Sequence, residues 1–294
     1  MGQDHRLGTR RWLAKAAHDA AVNVFVGHVA KGAWAISHSQ RAQDAELHLL
    51  FARGKRPDRA ALESFVARQP LIAISHDPGD GADPQAEAPW PGQQLWLELL
   101  RDGLTFDVSG LTPGPASPFP EFAHRFDLAA LPDAAEHEAL TLRPGPHLAG
   151  ARNSLPLQRA LLALACDFVR HFEDLAAVGW GPASSAIGRR FFESVASAWL
   201  DGGPFPALGL TAFTPTPDGA LQTVGLDFWI GQELRIEPPL SHDRVAATRL
   251  GVRIVNHLVI GGAPAVAEHI VAPDGMRLVL RPSRSRALIS VWRE

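Results

Sequence analysis

Cysteine is nearly absent: Cys166 is the only one in 294 residues. A lone thiol excludes an internal disulfide framework and any cysteine-rich zinc site, and it fits a reducing compartment. Lysine is almost as scarce. Lys15, Lys31 and Lys55 are the only lysines, so most of the positive charge is arginine. Arginine suits phosphate recognition, but the formal net charge is −3 and the arginines are scattered. That leaves no electrostatic footprint for a nucleic-acid partner. The densest group, Arg281, Arg284 and Arg286 around Pro282 and Ser283, reads as a solvated turn between two strands. No uninterrupted apolar run approaches the roughly 18 residues of a spanning helix, so no membrane segment is expected. His-Glu-x-x-His, Gly-x-Ser-x-Gly and Gly-x-x-x-x-Gly-Lys are all missing, which removes the zinc-protease, nucleophile-elbow and phosphate-loop routes to function.

Apolar residues make up 46% and charged residues 20%, an ordinary globular balance. The length suits about two domains and lets roughly three quarters of the unfolded surface be buried. The stretch TRRWLAK at Thr9–Lys15 is similar to a twin-arginine export signal. His18, Asp19 and Asn23 then interrupt what should be its apolar core. An amphipathic helix with Leu13, Ala16, Ala17 and Ala20 on one face is the reading adopted, with a cytoplasmic location and export as the alternative.

Residues 1–45 are read as an N-terminal helix and extension. From Glu46 a strand ELHLLFA, a helix starting at Pro57 and Asp58, and a strand LIAIS form a β-α-β unit. A loop rich in Asp, Gly and Pro follows from Asp77, then QLWLELL and LTFDVSG around the Asp102-Gly103 hairpin turn. These make a 46–111 β-α-β-β-β subdomain. Residues 112–138 are proline-rich and read as a linker or a surface-hugging connection. The 139–294 region is a second α+β subdomain. Its helix Leu155–Phe172 carries Leu157, Leu161, Leu164, Phe168 and Phe172 on one face, and AAVGW is a short buried strand. Ser184 or Ser185 is expected to cap a helix with the stripe Ile187, Phe191, Val195 and Trp199. ALGLTAF, the Asp218-Gly219 turn and a strand spanning 223–236 form a hairpin. A helix from Ser241 or Asp243 to Gly261 and two closing strands complete the chain. The fold class is α+β: mixed, largely antiparallel sheets with helices packed on one face, in two subdomains.

Read in order, AVGWGPAS, the helix with Phe191 and Phe192, PFPALGLTAF, and TVGLDFWIGQELRI resemble the C-terminal core of a bacterial family called domain of unknown function 4261. The upstream β-α-β unit and FDVSG extend the resemblance over about Glu46–Ile260. The chain departs from the pattern at Gly231, one position later than the family's glycine. The resemblance implies architecture and supplies no chemistry.

No catalytic set, metal site or cofactor is expected. Cys166 sits between apolar neighbours on a helix and reads as an inert buried thiol. In TVGLDFWIGQELRI, Gln232 interrupts an apolar face, and Gly231 is expected to bulge the strand and turn it outward. Glu233 then becomes the more interesting group. Trp180, Thr223, Gln232 and Glu233 are the candidate binding residues. The expected function is a soluble, non-enzymatic bacterial module that binds a protein or a ligand, with an enzyme acting on a small molecule near Trp180 and Glu233 as the alternative.

Overall fold

Leu47, Leu49 and Phe51 alternate along the first described strand, β1 (Leu47–Ala52), and all three are buried. They point toward helices, as the period-2 geometry of a strand requires. The computed structural model describes residues 46–78, 95–272 and 274–294; the N-terminal helix expected in 1–45 lies outside them. The described chain divides into two compact units, residues 46–202 and 203–294. Both carry mixed, largely antiparallel sheets with helices, the α+β class expected.

The first unit is an eight-stranded sheet in the order β2-β3-β4-β6-β1-β7-β8-β5. Its further strands are β2 (Ile72–His76), β3 (Leu95–Arg101), β4 (Leu104–Leu111), β5 (His124–Phe126), β6 (His137–Pro144), β7 (Leu175–Trp180) and β8 (Ser185–Gly188). Asp102 and Gly103 turn β3 into β4 with φ of 52° and 76°, the paired left-handed geometry of a tight hairpin. Helix α1 (Arg59–Ala67) begins where Asp58 accepts the Ala61 N–H. Helix α2 (Leu155–His171) has Pro156 in its first turn, where a missing N–H costs nothing. Phe65 of α1 meets Phe168 of α2 at 4.7 Å between ring centroids, and Phe51 meets Phe172 at 5.9 Å. Helices thus cover the Leu47–Phe51 face.

The opposite face has a different cover. Leu50, Ala139 and Ala177 pack against Phe119, Phe122 and Leu128. The proline-rich segment 112–138 is therefore no linker, and the subdomain boundary expected there is corrected. It lies across the sheet because β1 pairs with both β6 and β7, which joins the residues before and after it into one unit. The expected β-α-β unit also differs, since β1 and β2 are separated by three strands.

The second unit is a six-stranded sheet in the order β12-β13-β14-β11-β10-β9, with β11 and β14 parallel. The strands are β9 (Ala212–Pro215), β10 (Leu221–Val224), β11 (Glu233–Ile236), β12 (Glu268–Val271), β13 (Arg277–Pro282) and β14 (Leu288–Arg293). Asp243 caps the unit's long helix (Arg244–Gly261) by accepting from Val245 and Ala246 N–H. The helix lies close on the sheet at Gly251, where a Cβ would come 2.4 Å from Phe213 Cε1. Arg284 and Arg286 are exposed in the turn between β13 and β14, as expected.

Three expected elements change. The 223–236 strand is broken into β10, a one-turn helix Asp227–Ile230, and β11. Gly225 and Gly231, with φ of 89° and 78°, stand on either side of that turn. ALGLTAF is strand only from Ala212, after a turn in which Gly209 has φ 104°. Ser185 lies in β8, and helix α3 (Arg189–Leu200) starts after Gly188. Its buried stripe is accordingly Phe192, Ala196 and Trp199.

Gly188 marks where β8 meets the segment after β5: a Cβ there would lie 2.4 Å from the Asp127 carbonyl oxygen. Its own φ of −57° suits any residue, so the clash alone decides. Gly188→Ala is expected to destabilise the protein by about 1–3 kcal/mol, the usual range for overpacking, read as a lower midpoint in urea unfolding.

Candidate functional site

Of the four candidate residues, three gather in the six-stranded unit. Glu233 begins β11 and is 5% exposed. Its Oε2 accepts from the Thr223 hydroxyl at 2.5 Å and from Leu226 N–H at 3.2 Å, and its Oε1 accepts from Gly225 N–H at 2.6 Å. Thr223 Oγ1 in turn accepts from Leu234 N–H at 2.7 Å. The carboxyl thus ties the end of β10 and the following turn to the start of β11. Burial first, and the charge of Asp227 second, push Glu233 up to about 8, against the hydrogen bonds from Thr223 and Gly225. Its oxygens are already engaged, so Glu233 holds a loop.

Gln232 is 6% exposed. The outward bulge expected of it is thus corrected, because Gly231 ends a helical turn instead of bulging a strand. Among the described residues its Oε1 has no hydrogen-bond partner. Trp180 belongs to the eight-stranded unit, at the end of β7, and is fully buried. It is a core residue of that unit, while the other three belong to the six-stranded one. Cys166 is buried, and burial pushes its thiol up to about 11, so a thiolate is scarce at neutral pH.

A second carboxyl, which no sequence motif singles out, has the opposite environment. Asp107 lies in β4 on the face of the eight-stranded sheet away from the helices, and is 4% exposed. Its neighbours on that face follow from register. Asp107 stands opposite Arg143 of β6 and Glu98 of β3, and Ser109 stands opposite Trp96. Asp107 Oδ2 receives only a long hydrogen bond from Arg143 Nε, at 3.4 Å, and Oδ1 has no partner among the described residues. Arg143 also approaches Glu46 at 3.7 Å and is 47% exposed. Glu98 accepts from the Ser75 hydroxyl at 2.8 Å, and Trp96 meets the His76 ring at 5.5 Å. Burial is the largest influence on Asp107 and raises it, opposed by Arg143 and reinforced by the Glu98 charge. A buried carboxyl oxygen without a donor costs about 1–3 kcal/mol, and a ligand N–H or O–H would recover that.

Two other clusters have members already engaged by their own contacts. Asp133, Glu136 and His137 bring three potential metal-ligand atoms within 4.8 Å of one another. Asp133 Oδ1, however, accepts from Ala135 and Glu136 N–H and closes a local turn. A shallow groove of about 450 Å³ is lined by Asp58, Arg59, Glu63, Leu95 and Thr112. There Asp58 caps a helix and Arg59 pairs with Glu63 and Asp77. Among the described residues no helix is long and apolar enough to cross a membrane. Comparison with protein-family models, with curated proteins and with solved structures finds no match.

The two carboxyls give separable expectations. Glu233→Ala leaves the Gly225 and Leu226 N–H groups without their acceptor, while the Thr223 hydroxyl still reaches the Leu234 carbonyl at 3.3 Å; it should cost on the order of 2 kcal/mol or more at about 1–3 kcal/mol per buried group. Because the folded protein holds the Glu233 proton more tightly than the unfolded chain, its linkage contribution falls as pH rises from the ordinary carboxyl range toward about 8, and is flat beyond. Urea midpoints across that window should decline in the wild type. They should lose part of the slope in Glu233→Gln, which has no proton to release.

Proposed function

We propose that the chain is a non-enzymatic binding module whose small-molecule ligand docks on the polar face of the eight-stranded sheet around Asp107. One observation carries the reading: a carboxyl group that is 4% exposed has an oxygen with no donor among the described residues. Buried polar atoms are nearly always satisfied, and an orphan one marks a place where a partner is missing. The neighbouring Trp96, Glu98 and Arg143 supply an apolar wall and both signs of charge, the mixture that orients a small ligand.

An enzyme built on Trp180 and Glu233 is the weaker alternative. The indole is wholly inside its own unit, and the carboxyl oxygens of Glu233 are engaged by three donors. A soluble, cytoplasmic protein of the family resembled is part of the same proposal, supported by the ordered segments quoted above and by the lone cysteine.

A library of small polar fragments, screened by ligand-observed NMR against the full chain and against Asp107→Asn, tests the reading. Fragments that bind the wild type should lose at least tenfold in affinity with the variant. Asp107→Asn should unfold at or above the wild-type midpoint in urea, since it removes a buried and poorly paired charge. A fragment set that binds both forms equally, or no binding at all, would overturn the proposal.

A further inference from the structure

We infer that the ligand of this face is a small organic cation, a primary amine or a guanidinium, with its N–H groups on Asp107 and Glu98 and its positive charge beside the Trp96 ring. The inference rests on the reading of Asp107 as a binding group, and narrows it to one chemical class.

Charge balance comes first. Glu98 and Asp107 share the face with Arg143, the guanidinium that register and distance place beside Asp107. Arg143 stands 3.4 Å from Asp107 and 3.7 Å from Glu46. Both contacts are long beside the roughly 2.7–2.9 Å of a strong charge-assisted bond. Arg143 thus pairs loosely with Asp107, and among the described residues no ion pair reaches Glu98, which accepts from the Ser75 hydroxyl. An arriving anion would meet the Glu98 carboxylate and the unpartnered Asp107 oxygen, whereas a cation would pair with both.

Hydrogen-bond direction gives the same answer. The vacant position is an acceptor, Asp107 Oδ1, and the opposite Glu98 presents further acceptor oxygens. Residues paired across antiparallel strands hold their Cβ atoms about 4.5–5.5 Å apart, so one ammonium or guanidinium can donate to both carboxyls. A neutral alcohol could donate to one of them but would leave the excess of negative charge in place.

The aromatic group lies at the right register position. Trp96 stands opposite Ser109, one same-face step along from the Glu98–Asp107 pair, and diagonal neighbours of this kind are about 7–8 Å apart. Its ring is held by His76 at a tilt of 47°. A cation resting against a tryptophan face gains about 0.5–2 kcal/mol according to its desolvation. A divalent metal fits less well. Among the described residues, three metal-ligating groups converge only at Asp133, Glu136 and His137, which is a different place.

The test is isothermal titration of the full chain with agmatine and putrescine, alongside the neutral N-butylurea and the anionic succinate. Agmatine and putrescine should bind, the neutral and anionic probes should not, and affinity should weaken as salt is raised. Asp107→Asn should lower agmatine affinity at least tenfold and Trp96→Leu by about three- to tenfold. Glu98→Gln provides a second acidic variant should Asp107→Asn fail to fold. If N-butylurea or succinate binds in an Asp107-dependent way and the amines do not, the cation inference fails while the binding-module reading stands. If agmatine binds Asp107→Asn and Glu98→Gln as well as the wild type, it is only attracted to an acidic protein, and the inference is overturned. If neither these probes nor the fragment library bind in a way that depends on Asp107, both fail together.

Discussion

The eight-stranded unit depends on β1 being hydrogen-bonded along both edges. Six residues, Leu47–Ala52, pair with β6 on one side and β7 on the other. A strand in that position must offer side chains to two covered faces. Leu47, Leu49 and Phe51 meet the helix side, while Leu50 meets Phe119, Phe122 and Leu128. His48 is held on the second face between Gly179 and Thr141 of the flanking strands, and burial lowers its imidazole to about 4. It is therefore neutral at physiological pH. Five prolines in that cover lower its demand for ladder partners, and its residues His124–Phe126 pair with β8 at the edge of the sheet.

That cover lies over one part of the second face. Over β1, β6 and β7 the second face is closed by phenylalanines, and a Cβ added at Gly179 would come 2.7 Å from Phe122. Along β4 and β3 the same face turns polar, with Asp107, Ser109, Glu98 and Trp96 on it. Phenylalanine cover and acidic row are therefore successive parts of one surface.

Asp107 and Glu233 show how environment separates two nearly equal side chains. Both are almost fully buried, and burial raises both. Glu233 has a hydroxyl and two amide N–H groups converging on it, which makes it a structural fastener. Asp107 has one long contact with a half-exposed arginine and an oxygen left over. The number and geometry of donors, more than the acid itself, decide which buried carboxyl is satisfied.

Much of the architecture was legible locally. The Asp102-Gly103 hairpin, the α2 stripe of Leu157, Leu161, Leu164 and Phe168, the Asp243 cap and the closing strands all follow from periodicity and turn chemistry acting over a few residues. Glu233 was also reachable, because it stands beside a glycine in a segment whose apolar alternation breaks. The break itself was misread. Apolar residues at every second position suit a strand, but Gly225 and Gly231 at positive φ insert a helical turn between them, and Gln232 is buried as a result. Asp107 gave no local signal, since FDVSG reads the same whether its aspartate faces water or a crowded sheet.

By itself the sequence determined the α+β class, most strand and helix positions, and the absence of an internal disulfide framework, because each depends on composition or on neighbours along the chain. Only tertiary structure decided that β1–β4 and β6–β8 form one sheet, that the proline-rich segment is its cover, and that Asp107 lies between Glu98 and Arg143. Those outcomes rest on pairing between strands far apart in the chain. Register places such residues opposite one another, and no pattern confined to a short stretch encodes it.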